Sequence, residues 1–116
     1  MNIRRVVPNI SSDDLEGSKD FYVDFLGFEI GMDLGWIVGF RSPSNETAQI
    51  QVIRRDETAP VTPSITVEVE DVAGVYADAQ ARDLEILHPL TDESWGVRRF
   101  FVKDPNGVVL NVMSHL

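Results

Sequence analysis

Apolar and polar positions change their period several times along this chain, and each change marks an element. Residues 3–10 read as a strand. Ser11-Ser12-Asp13 then offers N-caps, with Asp13 and Glu16 in capping-box spacing, and Leu15, Ser18, Lys19, Tyr22, Phe25 and Leu26 recur on one helical face up to a stop at Gly27. Three strands are predicted over 28–33, 36–41 and 47–54, punctuated by Gly35 and by Ser42-Pro43-Ser44-Asn45. Residues 56–63 are polar, carry two prolines and have no period, which predicts a linker. After it, Ile65, Val67 and Val69 alternate inward, Asp71 caps a helix with Val72, Val75, Tyr76 and Ala79 on one face, and residues 85–90 return to a strand. Two more apolar runs, 95–103 and 108–112, flank Asp104-Pro105-Asn106-Gly107, where Pro105 presets φ and Gly107 can take positive φ. In the last run Val108, Leu110 and Val112 share one face, and Asn111 interrupts the other between Val109 and Met113.

Both halves therefore read β-α-β-β-β, and they can be laid on each other with matches in the same order. Asp14-Leu15-Glu16-Gly17 faces Asp71-Val72-Ala73-Gly74, Phe28-Glu29-Ile30 faces Leu84-Glu85-Ile86, Ser42-Pro43 faces Asp104-Pro105, and Trp36 faces Trp95. That order implies an internal duplication within one domain spanning 1–116: a first module over 1–55, the linker over 56–63 and a second module over 64–116.

Composition narrows the function. The chain has 116 residues, no cysteine and a formal net charge of -9. Disulfides and thiolate metal sites are excluded, no apolar run approaches membrane-spanning length, and a cytosolic address is the default. Arg4-Arg5, Arg54 and Arg98-Arg99 are separated by acid-rich stretches, so neither nucleic acid nor a membrane is expected as a partner, and the acidity favours a neutral or cationic ligand.

Asp14, Leu15, Ser18, Phe21, Tyr22, Leu26, Gly27 and Phe28, then Asp104, Pro105 and Gly107, with Trp95-Gly96 and Arg98-Arg99, form a motif set spread over nearly the whole chain. In these positions the sequence resembles the vicinal oxygen chelate superfamily of glyoxalases, extradiol dioxygenases and bleomycin-resistance proteins. The resemblance implies an α+β fold of two tandem βαβββ modules forming an open cup. In the metal-dependent members each module supplies two ligands, one from its first strand and one from its last. Carried over, those positions fall on Val7, Gln51, Ser64 and Asn111, and the first-strand position could slip to Pro8 or Asn9. None is His, Glu, Asp or Cys, so neither a catalytic metal nor any other cofactor is expected.

Neutral amides and hydroxyls can instead orient an organic ligand. The expected ligand-binding set is Asn9, Trp36, Gln51, Ser64, Trp95, Arg99, Phe101, Asn111 and Met113, with aromatic walls suited to a planar molecule. The imidazoles, His88 and His115, are expected to be structural or exposed. The resemblance favours a small-molecule sequestering protein of the bleomycin-resistance kind, working as a homodimer that completes its cups between subunits. A metal-dependent lyase, isomerase or dioxygenase is the alternative.

Overall fold

The computed structural model describes residues 2–116. β1 (Ile3–Ser11) leads into α1 (Leu15–Lys19), which continues as a π-helix over Asp20–Phe25, and β2 (Glu29–Asp33), β3 (Ile37–Arg41) and β4 (Gln49–Ile53) follow. β5 (Ile65–Val69), α2 (Val72–Ala81), β6 (Ile86–Asp92), β7 (Val97–Lys103) and β8 (Val109–His115) repeat the order. All eight strands form one sheet, β2-β3-β4-β1-β5-β8-β7-β6. In each half the first strand pairs in parallel with the last, and the seam between halves is the antiparallel β1–β5 ladder, with Val7 opposite Thr66. The expected α+β architecture of two βαβββ units is therefore present. Because β1 and β5 pair within one chain, both half-cups belong to the same molecule. A dimer is therefore not required to close the sheet at this seam.

Side-chain alternation sends one face of the sheet under the helices. Val72 and Ala79 of α2 pack with Val69, Phe100 and Val112, joined by Val67 and Tyr76, while Leu15 and Tyr22 cover Val38, Phe40 and Val52. Each fully buried Phe or Val contributes about 1.5–3 kcal/mol. Asn111 and Thr66 consequently point to the opposite face, which no helix covers.

Asp14 rather than Asp13 caps α1, and the Asp13–Glu16 capping box does not form: Asp14 Oδ1 accepts from Gly17 N at 2.9 Å. Asp71 does the same for α2, accepting from Gly74 N at 3.0 Å. The duplicated glycines have a reason, since a Cβ at either Gly17 or Gly74 would overlap the capping carboxylate. In a helix Gly→Ala ordinarily adds about 1 kcal/mol of stability. Here Gly74→Ala is expected to add none by chemical denaturation, and to recover the gain only in an Asp71→Ala background, where the cap worth about 1 kcal/mol is already lost.

The first helix departs from the regular pattern read in the sequence. Leu26 N donates to Phe21 O at 3.1 Å and Phe28 N to Tyr22 O at 2.9 Å, the wide closures of a π turn ending at Gly27, whose φ is +84°. The wider turn shifts the helical phase. Tyr22 and Val23 enter the core, whereas Phe25 and Leu26, expected inward, are 73% and 51% exposed.

The final corner forms as expected. Gly107 N donates to Asp104 O at 3.1 Å with Gly107 at φ +82°, and Asp104 Oδ1 accepts from both Asn106 N and Val108 N at 2.8 Å. This tight turn fixes the register of β7 against β8, with Phe101 opposite Asn111 and Arg99 opposite Met113.

Candidate functional site

Two parallel ladders place four polar side chains at the bottom of the cup. Asn9 of β1 stands beside Gln51 of β4, and Thr66 of β5 stands beside Asn111 of β8. The halves superpose on these pairs, so Asn9 and Thr66 occupy equivalent first-strand positions. Thr66 is buried, and its Oγ1 accepts from Asn9 Nδ2 at 2.8 Å and from Asn111 Nδ2 at 3.2 Å. Asn9 Oδ1 and Asn111 Oδ1 are buried with no hydrogen-bond partner among the described residues. A buried acceptor left unpaired costs about 1–3 kcal/mol, so two acceptors facing one cleft form a place where a ligand's N–H or O–H gains most.

This geometry corrects two expected positions. Val7 is fully buried and opposes Thr66 rather than Gln51, and Ser64 is exposed, outside the cleft lining. The first-strand pair is Asn9 and Thr66. Asn9 and Thr66 are separated by the same spacing as Asp14 and Asp71, but so are Val7 and Ser64, so the caps alone do not choose between the two pairs.

Trp36 and Trp95 reach across from the two halves and meet edge to face, ring centres 5.2 Å apart. Together with Met113 and Arg99 they enclose, above the four polar groups, a cleft of about 70 Å³. On one side it opens past Gln51 and Met32 into a hollow of about 450 Å³; on the other, beyond the tryptophan pair, lies one of about 690 Å³. Ligand sites run to about 300–1,000 Å³, so a bound molecule would need the cleft and an adjoining hollow together.

Arg99 is 4% exposed and binds two carboxylates, Asp56 Oδ2 at 2.7 Å and Glu93 Oε2 at 3.0 Å, as well as Thr58 Oγ1 at 3.0 Å. Its guanidinium carbon lies 4.9 Å from the ring centres of both Trp95 and Phe101. Phe101, expected as a cleft wall, is wholly buried outside that lining and packs on His88 at 5.1 Å. It supports Arg99, and Arg99 in turn holds Trp95. His88 is buried, with Nε2 3.6 Å from Glu93 Oε1. Asp56, Thr58 and Glu93 carried no functional signal in the sequence, since nothing local shows that the connecting segment folds back onto β7.

Burial pushes the Asp56 carboxyl upward, but hydrogen bonds from Thr58 and the Arg99 guanidinium outweigh it and hold Asp56 below its ordinary 3.8. A folded value below the unfolded one stabilises the protein fully above about pH 3.8, and that contribution is lost as pH falls through the folded value. Thermal unfolding should accordingly show a midpoint that drops on acidification below pH 4, and an Asp56→Asn variant should show a shallower acid limb.

The charge of the cup does not follow the acidity of the chain as a whole. Six arginines, Arg4, Arg5, Arg41, Arg54, Arg55 and Arg99, line the cleft and its two hollows, against five carboxylates, Asp13, Glu46, Asp56, Glu57 and Glu68. The acid surplus of the chain lies elsewhere on its surface.

A divalent metal of the kind the fold's metal-dependent members hold does not fit here. Asn9, Gln51, Thr66 and Asn111 supply only neutral amide and hydroxyl donors, which bind transition metals poorly without an anion. Among the described residues, no three His, Asp or Glu side chains are placed to hold a metal ion.

No curated protein matches the sequence significantly. Among solved structures, a glyoxalase/bleomycin resistance protein/dioxygenase superfamily member from Vibrio splendidus 12B01 superposes with a TM-score of 0.72 at 23% identity, over 97% of this chain and 99% of that one. Methylmalonyl-CoA epimerase from Mycobacterium tuberculosis gives 0.71 at 15% identity, over 99% and 88%. The Mn(II)-bound glyoxalase from Novosphingobium aromaticivorans gives 0.64 at 21% identity, over 97% of this chain and 38% of that longer one. At these identities the likeness establishes the fold. The family model described as Glyoxalase/Bleomycin resistance protein/Dioxygenase superfamily matches residues 3–112, and the chain belongs to that superfamily.

Proposed function

We propose that this protein binds a planar, aromatic small molecule in the cup and sequesters it without chemical change, in the manner of an antibiotic-binding resistance protein. The observation that carries this reading is the cleft itself: two unpartnered amide oxygens below and two tryptophans above, with neutral groups at all four positions where metal-dependent relatives place ligands. Stacking on Trp36 or Trp95 contributes about 0.5–1.5 kcal/mol beyond burial, and each hydrogen bond to Asn9 or Asn111 a similar amount. The metal-dependent lyase, isomerase or dioxygenase reading would need an anionic donor that this set lacks.

We also keep the homodimer as a proposal, now on different support. The uncovered outer face of β1 exposes Ile3, Val6 and Ile10, and the first helix exposes Phe21, Phe25 and Leu26. Pairing such surfaces by a two-fold axis would cover apolar area. A cytosolic location belongs to the same reading of a cysteine-free chain.

Tryptophan fluorescence titrated with bleomycin, mitomycin and enediyne-type compounds tests the function, with product analysis after long incubation. Saturable quenching with unchanged compound is expected. Trp36→Ala should weaken binding about tenfold, through lost stacking and buried area, with little effect on folding. Turnover of any compound at catalytic ratios would overturn the reading.

A further inference from the structure

We propose that the hollow beyond Gln51 is an anion subsite, which takes a carboxylate, sulfonate or phosphate carried by the molecule that stacks in the tryptophan cleft. The inference rests on the aromatic-cleft reading and extends it to the ligand's charge. This hollow of about 450 Å³ shares Arg5, Met32 and Gln51 with the cleft, so one molecule can occupy both. Its charged lining is Arg4, Arg5 and Arg41 against Glu46 and Glu68, with His115 at its edge. A surplus of positive charge there, in a chain of net charge -9, runs opposite to the protein as a whole.

The arginines are incompletely engaged. Arg5 gives Nε to Glu68 and Nη1 to Gln49 Oε1, which holds its guanidinium at the inner end of the hollow. Arg41 meets only Glu29, at 3.7 Å with both side chains about half exposed, a pairing that competes weakly with a ligand. Arg4 makes no ion pair among the described residues.

Space has been left for the anion. Gly39 opposes Gln51 across the β3–β4 ladder and lines the hollow, where a Cβ would lie 3.4 Å from Met32 Cβ, so the glycine keeps the lining from crowding further. A Cβ at Gly31 would sit 3.3 Å from Arg41 Cδ, so the glycine lets the arginine arm lie across β2. Weakly engaged guanidinium forks on Arg4 and Arg41, beside an Arg5 held in place, suit a planar or tetrahedral oxyanion.

The test compares two dyes of one ring system, anionic 8-anilinonaphthalene-1-sulfonate and neutral N-phenyl-1-naphthylamine. Each is titrated into the parent, Trp36→Ala and an Arg4→Gln/Arg41→Gln double variant whose two sites are exposed and leave the core untouched. The parent is expected to bind the sulfonate roughly tenfold or more tightly than the neutral dye, as charge-assisted hydrogen bonds allow. The double variant should erase that preference while leaving the neutral dye unchanged, and Trp36→Ala should weaken both. Equal affinities in the parent, or a preference that survives the double variant, would overturn the anion subsite and leave the aromatic cleft standing. Binding of neither dye, or binding indifferent to Trp36→Ala, would remove the aromatic cleft and the subsite with it.

Discussion

Replacing Arg99 by methionine is expected to destabilise the fold by about 3–5 kcal/mol, whereas the same change at the adjacent Arg98 should leave stability nearly unchanged. The two arginines are consecutive on β7 and each pairs with acid, so composition alone predicts no difference. Burial decides it. The side chains of Arg98 and Asp92 are 42% and 52% exposed, so water screens the pair and solvates either partner left alone. The side chains of Arg99, Asp56 and Glu93 are all 5% exposed or less, and removing the guanidinium leaves two carboxylates buried together. Urea denaturation of both variants at neutral pH checks the contrast. Adding Asp56→Asn and Glu93→Gln to Arg99→Met should restore part of the loss, since the stranded charges go with them. Equal effects at positions 98 and 99 would mean that the buried network does not hold the connecting segment against β7.

Phe101→Ala is expected to cost a comparable amount, about 3–5 kcal/mol, because Phe101 is 0% exposed and the cavity left behind has the Arg99 guanidinium on one side and His88 on the other. This change separates support from contact. If Phe101 props Arg99 and Trp95 from behind, its loss should lower stability strongly and ligand affinity only through a loosened Trp95. Trp36→Ala should do the reverse. A Phe101→Ala protein of parental stability would return Phe101 to the cleft wall where the sequence had put it.

The sequence carried the fold well because its signals were local and doubled. Asp14-x-x-Gly17 and Asp71-x-x-Gly74 each encode one cap, Asp104-Pro105-Asn106-Gly107 encodes one turn, and alternation in β5 and β8 states which face is buried. Legibility failed where an outcome depended on contacts between distant segments. A π turn is a change of helical phase that the apolar spacing of Tyr22, Phe25 and Leu26 does not reveal. Net charge says nothing about which residues a fold gathers, and here it gathered six arginines around the cup of an acidic chain. Asp56 looked like part of a solvated linker because its partner Arg99, and the Glu93 that shares Arg99 and Thr58 with it, come from the far end of the chain. The slip from Thr66 to Ser64 was of another kind: a shift of two residues keeps both the face of the strand and the spacing between the two caps, so neither local signal reveals it.

The central claim is that Asn9, Asn111, Trp36 and Trp95 form one ligand site, and side-chain ¹H–¹⁵N spectra test it most directly. Titration with a planar aromatic compound that quenches tryptophan fluorescence is followed at the two indole N–H groups and at the asparagine carboxamides. The account predicts that the signals of Trp36, Trp95, Asn9 and Asn111 move together with one saturation curve, while Asn106, in the exposed turn between β7 and β8, stays still. Shifts confined to the exposed Phe21 and Phe25 surface, with the four cleft residues unmoved at saturation, would contradict it.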